Sequence, residues 1–479
     1  MEENLLTKFL NLMSKDITDS DLKLIPLGKA LGLDLISFAK LRASQDDSFV
    51  DGIRKHALRK LTKHNDIYIP NNVSFYAGSI DFMVGGSPHS KSFFLLEANG
   101  GSNRGLSILT KKQQALIYDG YFESISQAIE KSFNKDLKIL VLIGVPVNDA
   151  LIHEKVIMVE YFRKKIRALG LSLKIFNSDT YDKNYEAKIV FLISDYEHLS
   201  KALSFTDTEM RYLGEKVSVL IGDGIARRFN DEKFNNMIRE DYGQINSTIV
   251  NPIFKITDDK SLTYLASHLI KNRLENYNLE SLVFARAYNE KDLIEKVTRM
   301  IKTFKKSFII KPSGGSGGAG VIQILKNLNA VEVMKKLEES KKEFYAKFSR
   351  KRNPFPYTIQ EKVNFSLINW EGYQHTFDIR LYYALNKNQI IPIGGLARIA
   401  KGRYLNGLNK EEFVVNLSGY DGRIEVNRGI GLSEDNSKLL NLKSTDFTNL
   451  FCIGALIFKS MIENYNEIIQ FSNWSCYLN

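Results

Sequence analysis

SFIIKPSGGSGGAGVIQIL, residues 307–325, is the stretch on which the reading of this chain turns. Lys311 closes one apolar, β-rich run, five glycines fall between positions 314 and 320, and a second β-rich run resumes. Glycine has no Cβ, so a glycine-rich loop lets backbone N–H groups crowd around phosphate oxygens. A flexible linker has similar glycine content but lacks apolar strands on both sides. Gly315, Gly317 and Gly320 satisfy GxGxxG, yet a dinucleotide fold requires a helix after that loop, and VIQIL is strand-like. No GK[ST] follows, nor the HRD and DFG set of a protein kinase. What remains is a β-hairpin flap over a nucleotide, with Ser313, Gly314, Gly315, Ser316, Gly317 and Gly318 as its phosphate-facing loop.

Chemistry-bearing residues lie on both sides of the loop. Lys260 stands 51 residues upstream in NPIFKITDDKSLTYLASHL (251–269). Downstream come YTIQEKV (357–363), FDIRLYYAL (377–385) with Asp378 and Arg380, IIPIGGLARIA (390–400) with Arg398, and FVVNLSGYDG (413–422) with Asn416. Near the front, GSIDFMV (78–84) and FFLLEAN (93–99) read as two strands joined by a turn, with Asp81 on the first and Glu97 and Asn99 on the second. Period-2 alternation puts Glu97 and Asn99 on one strand face, within reach of one cation. A hard cation takes oxygen ligands, and a carboxylate and an amide oxygen can supply them.

In this order the residues resemble the ATP-grasp ligases. That family carries one lysine before the loop and another about fifty residues upstream at a helix start. The resemblance therefore gives Lys311 and Lys260 to the phosphates of ATP. YTIQEKV is similar to the family's hinge. Gln360, Glu361, Lys362 and Val363 would line the adenine, with Glu361 accepting from its amino group. D-I-R, then R, then N-L looks like the branch that includes peptide-tail ligases, which makes Arg380, Arg398 and Asn416 the implied catalytic residues, with the arginines holding the γ-phosphate and the reacting carboxylate. Forked guanidinium groups suit both oxyanions. The Mg²⁺ set would be Asp81, Glu97 and Asn99. Glu425 and Asn427 form a second E-x-N, but no Asp-bearing strand precedes them at hairpin distance.

The carboxylates thus precede the lysines. That order is similar to circularly permuted ATP-grasp enzymes such as eukaryotic-type glutathione synthetase. The chain departs from them in having Ser313 and Ser316 where those enzymes place an acid in the loop, so glutathione is not carried over as product. The expected fold is α/β, α+β within the catalytic part, with an inserted parallel α/β domain. Four regions follow: 1–125, N-terminal helices plus the metal-binding part; 136–252, the parallel α/β insert, with Arg227 and Arg228 as anion-binding candidates; 253–360, the nucleotide-binding subdomain with the flap; and 361–479, the rest of the catalytic core.

Composition fits a folded enzyme, with 44% hydrophobic and 25% charged residues. Two cysteines give no disulfide framework and point to a reducing, cytoplasmic setting. The N-terminus lacks a signal-peptide apolar core, and the apolar run 137–147 is too short to span a bilayer. The net charge of +11 is spread along the chain, including the basic run 341–352, and no nucleic-acid motif accompanies it. It suits gathering ATP and an anionic substrate. The expected activity is amide-bond formation between a small-molecule or peptide carboxylate and an amine, with no membrane partner; homo-oligomerisation stays open. A phosphotransferase on the same platform and a basic nucleic-acid binder are the competing classes.

Overall fold

The computed structural model describes residues 3–15, 17–63, 66–69, 75–86, 91–100, 105–133, 137–206, 208–222, 246–315, 317–348, 352–417 and 426–470. Ser316, Arg227, Arg228 and Glu425, all singled out above, and Cys476, one of the two cysteines, lie outside these residues.

Four helices open the chain: α1 (Leu5–Met13), α2 (Leu24–Leu31), α3 (Ile36–Ala43) and α4 (Asp47–Lys63). Helical spacing puts Phe9 and Met13, then Val50, Ile53, Ala57 and Leu61, on buried stripes. Next come β1 (Ala77–Gly86) and β2 (Lys91–Asn99), paired antiparallel, and the long helix α5 (Lys111–Phe133).

The middle of the chain builds a parallel sheet from β3 (Ile139–Val145), β4 (Leu173–Asn177) and β5 (Ile189–Asp195). Helices α6 (Ile152–Ala168) and α7 (Tyr196–Ala202) connect them onward. After a small three-stranded sheet of β6 (Leu203–Phe205), β7 (Met210–Tyr212) and β8 (Glu215–Lys216), β9 (Val219–Ile221) and β10 (Thr248–Val250) complete the order β10-β9-β3-β5-β4. Val141 and Ile143 pack with Val156 and Val159 of α6, while Leu140 and Leu142 pack with Leu199 of α7. Both faces are covered, which is why β3 reads as a continuous apolar run.

Helices α8 (Phe254–Asp258), α9 (Lys260–His268) and α10 (Lys271–Glu275) lead into a four-stranded antiparallel sheet. It consists of β11 (Phe284–Ala287), β12 (Phe308–Pro312), β13 (Ile322–Ile324) and β14 (Tyr357–Glu361), in the order β11-β14-β12-β13. Helices α11 (Glu290–Phe304) and α12 (Ala330–Lys347) cover one face, where Val297, Met300 and Leu337 meet Phe308, Ile310 and Ile359.

The chain then returns to its beginning. β15 (Leu367–Trp370), β16 (Tyr373–Asn386), β17 (Gln389–Ile399) and β18 (Gly429–Gly431) join the first hairpin in a six-stranded sheet whose path is β18-β17-β16-β1-β2. Strands from the first hundred residues and from beyond residue 366 therefore form one hydrogen-bonded surface. The short α13 (Lys410–Phe413) lies between β17 and β18, and α14 (Glu434–Leu439), α15 (Ser444–Glu463) and α16 (Tyr465–Gln470) follow.

Helix α15 covers the apolar face of this sheet, with Phe451 and Phe458 against the Tyr383 ring. The approach needs glycine on both sides: a Cβ on Gly454 would collide with Tyr383, and one on Gly78 with Phe458. By length and composition α15 could cross a bilayer, but 72% of its apolar window is buried inside the protein. Asn251, just past the parallel unit, donates from Nδ2 to the Ala77 carbonyl at 2.7 Å and accepts the Tyr76 N–H at 2.5 Å, which ties that unit to the start of β1.

Candidate active site

The six-stranded sheet has an apolar and a charged face, and strand alternation creates both. In β16, Ile379, Leu381 and Tyr383 point toward α15, so Asp378, Arg380 and Tyr382 point away. Register then assembles the charged face. Asp81 lies opposite Arg380 on one side and Glu97 on the other; Ser79 lies opposite Asn99; Asp378 lies opposite Arg398. Asp81 and Arg380, 299 positions apart in sequence, become lateral neighbours.

Charge pairing on this face is dense. The Asp81 carboxylate accepts from Arg380 Nε at 2.7 Å and Nη2 at 2.6 Å, and from Arg398 Nη2 at 2.6 Å. Arg398 also donates to Asp378 from Nε at 2.8 Å and Nη2 at 2.5 Å. Asp81 and Asp378 are 0% exposed and Arg398 is 5% exposed. Burial pushes the Asp378 carboxyl up to about 6 despite Arg398 beside it, and the Asp81 charge adds to the rise.

Glu97 is in a different position. Its side chain keeps 27% exposure, with Lys260 Nζ 3.2 Å and Arg380 Nη2 3.9 Å away. Desolvation raises its pKa, but Lys260, Arg380, Arg398 and Lys311 outweigh that and hold it down at about 2. Asn99, two residues on, has a buried Nδ2 with no hydrogen-bond partner among the described residues. A half-turn of that amide would present its oxygen to the same space.

The lysines arrive from the second antiparallel unit. Asp259 separates α8 from α9 by capping α9: its carboxylate accepts the Ser261 N–H at 3.1 Å and is held by Arg286 Nε at 2.6 Å. Lys260 is therefore the first residue of the helix, aimed at Glu97. One turn later the Tyr264 hydroxyl lies 2.7 Å from the Leu96 carbonyl, 2.5 Å from Gln360 Oε1 and 3.2 Å from Lys311 Nζ. Lys311 also donates to the Leu96 carbonyl at 3.4 Å. Burial, and then the Lys260 charge, pull its ammonium down to about 7 against the pull of Glu97. Tyr264 was not singled out from the sequence; its signal is the i,i+4 spacing from Lys260.

The flap spans the turn between β12 and β13. Gly314, Gly317, Gly318 and Gly320 all have φ between 61° and 75°, which other residues adopt only with strain. Gly314 N–H donates to the Asp258 carbonyl at 2.9 Å, so the loop rests on the α8–α9 junction, and Ser313 N–H donates to the Pro354 and Pro356 carbonyls at 3.0 Å. Arg352 donates to the Gly314 carbonyl at 2.7 Å. A Cβ on Gly317 would lie 3.0 Å from Asn416 Nδ2, which brings Asn416 against the loop. A Cβ on Gly315 would meet the Ala319 and Pro312 carbonyls at 3.3 Å.

The hinge residues divide. Gln360 pairs with Ile309, on the same sheet face as Lys311. Glu361 pairs with Phe308 on the opposite face, where its carboxylate accepts the Val283 N–H at 3.2 Å and Lys306 Nζ at 2.5 Å. The Glu361 carboxylate is thus already engaged and turned from the lysines, because alternation admits only one of Gln360 and Glu361 to that face. Lys362 N–H donates to the Ser307 carbonyl at 2.8 Å and its Nζ to the Gly407 carbonyl at 2.9 Å; Val363 is buried in the core.

Four cations (Lys260, Lys311, Arg380 and Arg398) thus face three carboxylates (Asp81, Glu97 and Asp378), an excess of positive charge suited to anions. Glu97 and Asn99 could hold a magnesium ion, Lys260 and Lys311 could hold nucleotide phosphates, and the flap N–H groups could close on them. Among the described residues no group of three or more His, Cys, Asp or Glu could hold a metal by itself, so such a site would be completed by phosphate oxygens.

No family model matches the sequence, and no curated protein matches it. Among solved structures the chain is similar to a protein of Methylobacillus flagellatus named for gamma-glutamylcysteine synthetase, at 11% identity over 91% of this chain and 97% of that one, with a TM-score of 0.46. It is also similar to a glutathione synthetase-like effector of Globodera pallida, at 11% identity over 76% and 82% of the two chains, with a TM-score of 0.36. A D-alanyl-alanine synthetase A of Vibrio cholerae aligns at 8% identity over 67% and 99%, with a TM-score of 0.27. Scores at this level assign neither a family nor an activity to this chain.

Proposed function

We propose that this chain is an ATP-dependent carboxylate–amine ligase of the ATP-grasp type, permuted so that the strands bearing Asp81, Glu97 and Asn99 come before the lysines and arginines. The division at residues 125–136, 252–253 and 360–361 belongs to the same proposal. One observation carries it: Lys260, Lys311, Arg380 and Arg398 converge on the single face where Glu97 and Asn99 stand, beside a glycine loop. The pairing of β1 with β16, Asp81 opposite Arg380, supports the permuted order.

The reaction would run in two displacements. An oxygen of the substrate carboxylate bonds to the γ-phosphorus of ATP as the bond to ADP breaks, giving an acyl phosphate. The amine nitrogen then attacks the acyl carbon, phosphate leaves with the bonding pair, and the nitrogen loses its proton to solvent. Lys260 and Lys311 offset the charge of the phosphates, and Arg380 and Arg398 that of the transferring group and the later oxyanion. A magnesium ion on Glu97 and Asn99 would supply further charge neutralisation at the phosphates. The flap excludes water, which would otherwise hydrolyse the acyl phosphate.

The test is a screen of carboxylic acids with ATP, Mg²⁺ and hydroxylamine, read as ADP release and hydroxamate by mass spectrometry. A hydroxamate that depends on acid and on Arg398 is expected. Stable transfer of labelled γ-phosphate to a hydroxyl group, without hydroxamate, would make the protein a phosphotransferase on the same platform.

A further inference from the structure

We propose that Asp81 is a positioning residue for the two guanidinium groups and that it does not bind the metal. The inference rests on the ligase reading and divides its three oxygen-bearing candidates. Glu97 keeps 27% side-chain exposure and Asn99 keeps a buried amide nitrogen unpartnered among the described residues. Asp81 has neither quality. It is 0% exposed, and its two oxygens receive three charge-assisted hydrogen bonds at 2.6–2.7 Å.

The geometry explains what the bridge does. Arg380 presents its Nε–Nη2 edge to Asp81, and Arg398 presents its Nε–Nη2 edge to Asp378 while Nη2 reaches across to Asp81. Both guanidinium groups are thereby fixed in rotation, and each is left with its Nη1 edge free of hydrogen bonds among the described residues. Two like charges so close repel each other unless a carboxylate stands between them, and Asp81 is the group that touches both. Moving Asp81 Oδ2 onto a cation would take one charge-assisted hydrogen bond from each guanidinium group in a buried setting. Asp81 therefore acts on the reacting phosphoryl group only through Arg380 and Arg398.

The test needs no substrate. The unmodified chain, Asp81→Asn and Glu97→Gln are titrated with Mn²⁺ and ADP, with bound Mn²⁺ read by electron paramagnetic resonance. ADP is then titrated again in the presence of aluminium fluoride, which mimics the transferring phosphoryl group. Glu97→Gln is expected to weaken Mn²⁺·ADP at least about tenfold, while Asp81→Asn leaves it within about threefold. Asp81→Asn is instead expected to lose about a hundredfold of the tightening that aluminium fluoride gives, since that tightening is what aligned guanidinium groups supply. A loss confined to fold stability would not separate the two titrations in this way. Equal weakening of Mn²⁺·ADP by Asp81→Asn and Glu97→Gln overturns the assignment.

Should Asp81→Asn fail to fold, a crystal structure of the unmodified chain with Mn²⁺ and ADP decides. Manganese bonded to Glu97, with both Asp81 oxygens still on the arginines, supports the inference; a manganese–Asp81 bond overturns it. If the unmodified chain binds no Mn²⁺·ADP at all, the nucleotide reading itself fails, a result distinct from either.

Discussion

Strands β3 and β16 sit in the middle of two sheets and solve burial in opposite ways. β3, ILVLIGV, is apolar and buried at every position, because helices cover both faces of the parallel sheet. β16 is almost as thoroughly buried, yet every second residue from 378 to 382 is polar. Its apolar half packs on α15, and its charged half, Asp378 and Arg380, is satisfied by Asp81 and Arg398 from the neighbouring strands. Area burial of about 25 cal/mol per Å² explains the first strand. The second is stable only while its ion pairs stay complete, since an uncompensated buried charge costs far more than a missing methyl group. On the proposed function, the charged face is a place where stability and chemistry would depend on the same side chains.

The comparison breaks first at Arg398. Its removal in Arg398→Ala leaves Asp378 without its described partner and Asp81 with Arg380 alone, and should cost about 3–5 kcal/mol of unfolding free energy. Chemical denaturation measures it. A cost below about 1 kcal/mol would mean that water or a counter-ion already compensates these carboxylates. Leu142→Ala, in the parallel sheet, should cost roughly 2–4 kcal/mol as a cavity, with Mn²⁺·ADP binding unchanged. A Leu142→Ala protein that binds Mn²⁺·ADP much more weakly would show that the two sheets are not separate in function.

Much of this contrast could be read in the sequence. FDIRLYYAL carries Asp378 and Arg380 two residues apart, LKILVLIG is a continuous apolar run, and the five glycines after Lys311 mark the turn between β12 and β13. Register was less legible. Nothing local tells Asp81 that its lateral partner is Arg380, because strand pairing is decided by tertiary packing. The same limit applied to Glu361, whose side was set by which hinge residue pairs with Ile309. Nor does anything local to Glu97 show that Lys260 and Arg380, from two other elements, stand beside it.

A smaller effect is expected at Lys311. Lys311→Ala removes a nearly buried ammonium that reaches Leu96 and Tyr264 across the cleft. Loss of its charge-assisted bonds to phosphate should weaken ATP binding by roughly 1.5–3 kcal/mol by calorimetry. Unchanged affinity would remove the flap from the nucleotide site.

The smallest effect sharpens the comparison most, because it sets one buried carboxylate against another. Asp378 is paired with a guanidinium and pushed up by burial, whereas Glu412 is 2% exposed and held by neutral donors. Its Oε2 accepts the Leu405, Asn406 and Gly407 N–H groups at 2.8, 3.1 and 2.8 Å, and its Oε1 accepts from Asn409 Nδ2 at 2.8 Å. Burial raises its pKa, but those donors outweigh it and hold the carboxyl at about 2. An unfolded glutamate titrates near about 4.3. The folded value is the lower one, so the unfolded state binds more protons as pH falls; the stabilisation is whole above about 4.3 and is lost on the way down to about 2. Amide exchange of residues 405–407, corrected for its intrinsic pH dependence, should therefore speed up over that window while exchange in β5 does not. Glu412→Gln keeps an acceptor but loses the charge, so its loop should exchange faster at neutral pH and show no further acid step. An acid step that survives in Glu412→Gln would assign the loop's pH sensitivity to another group and return Glu412 to ordinary turn chemistry.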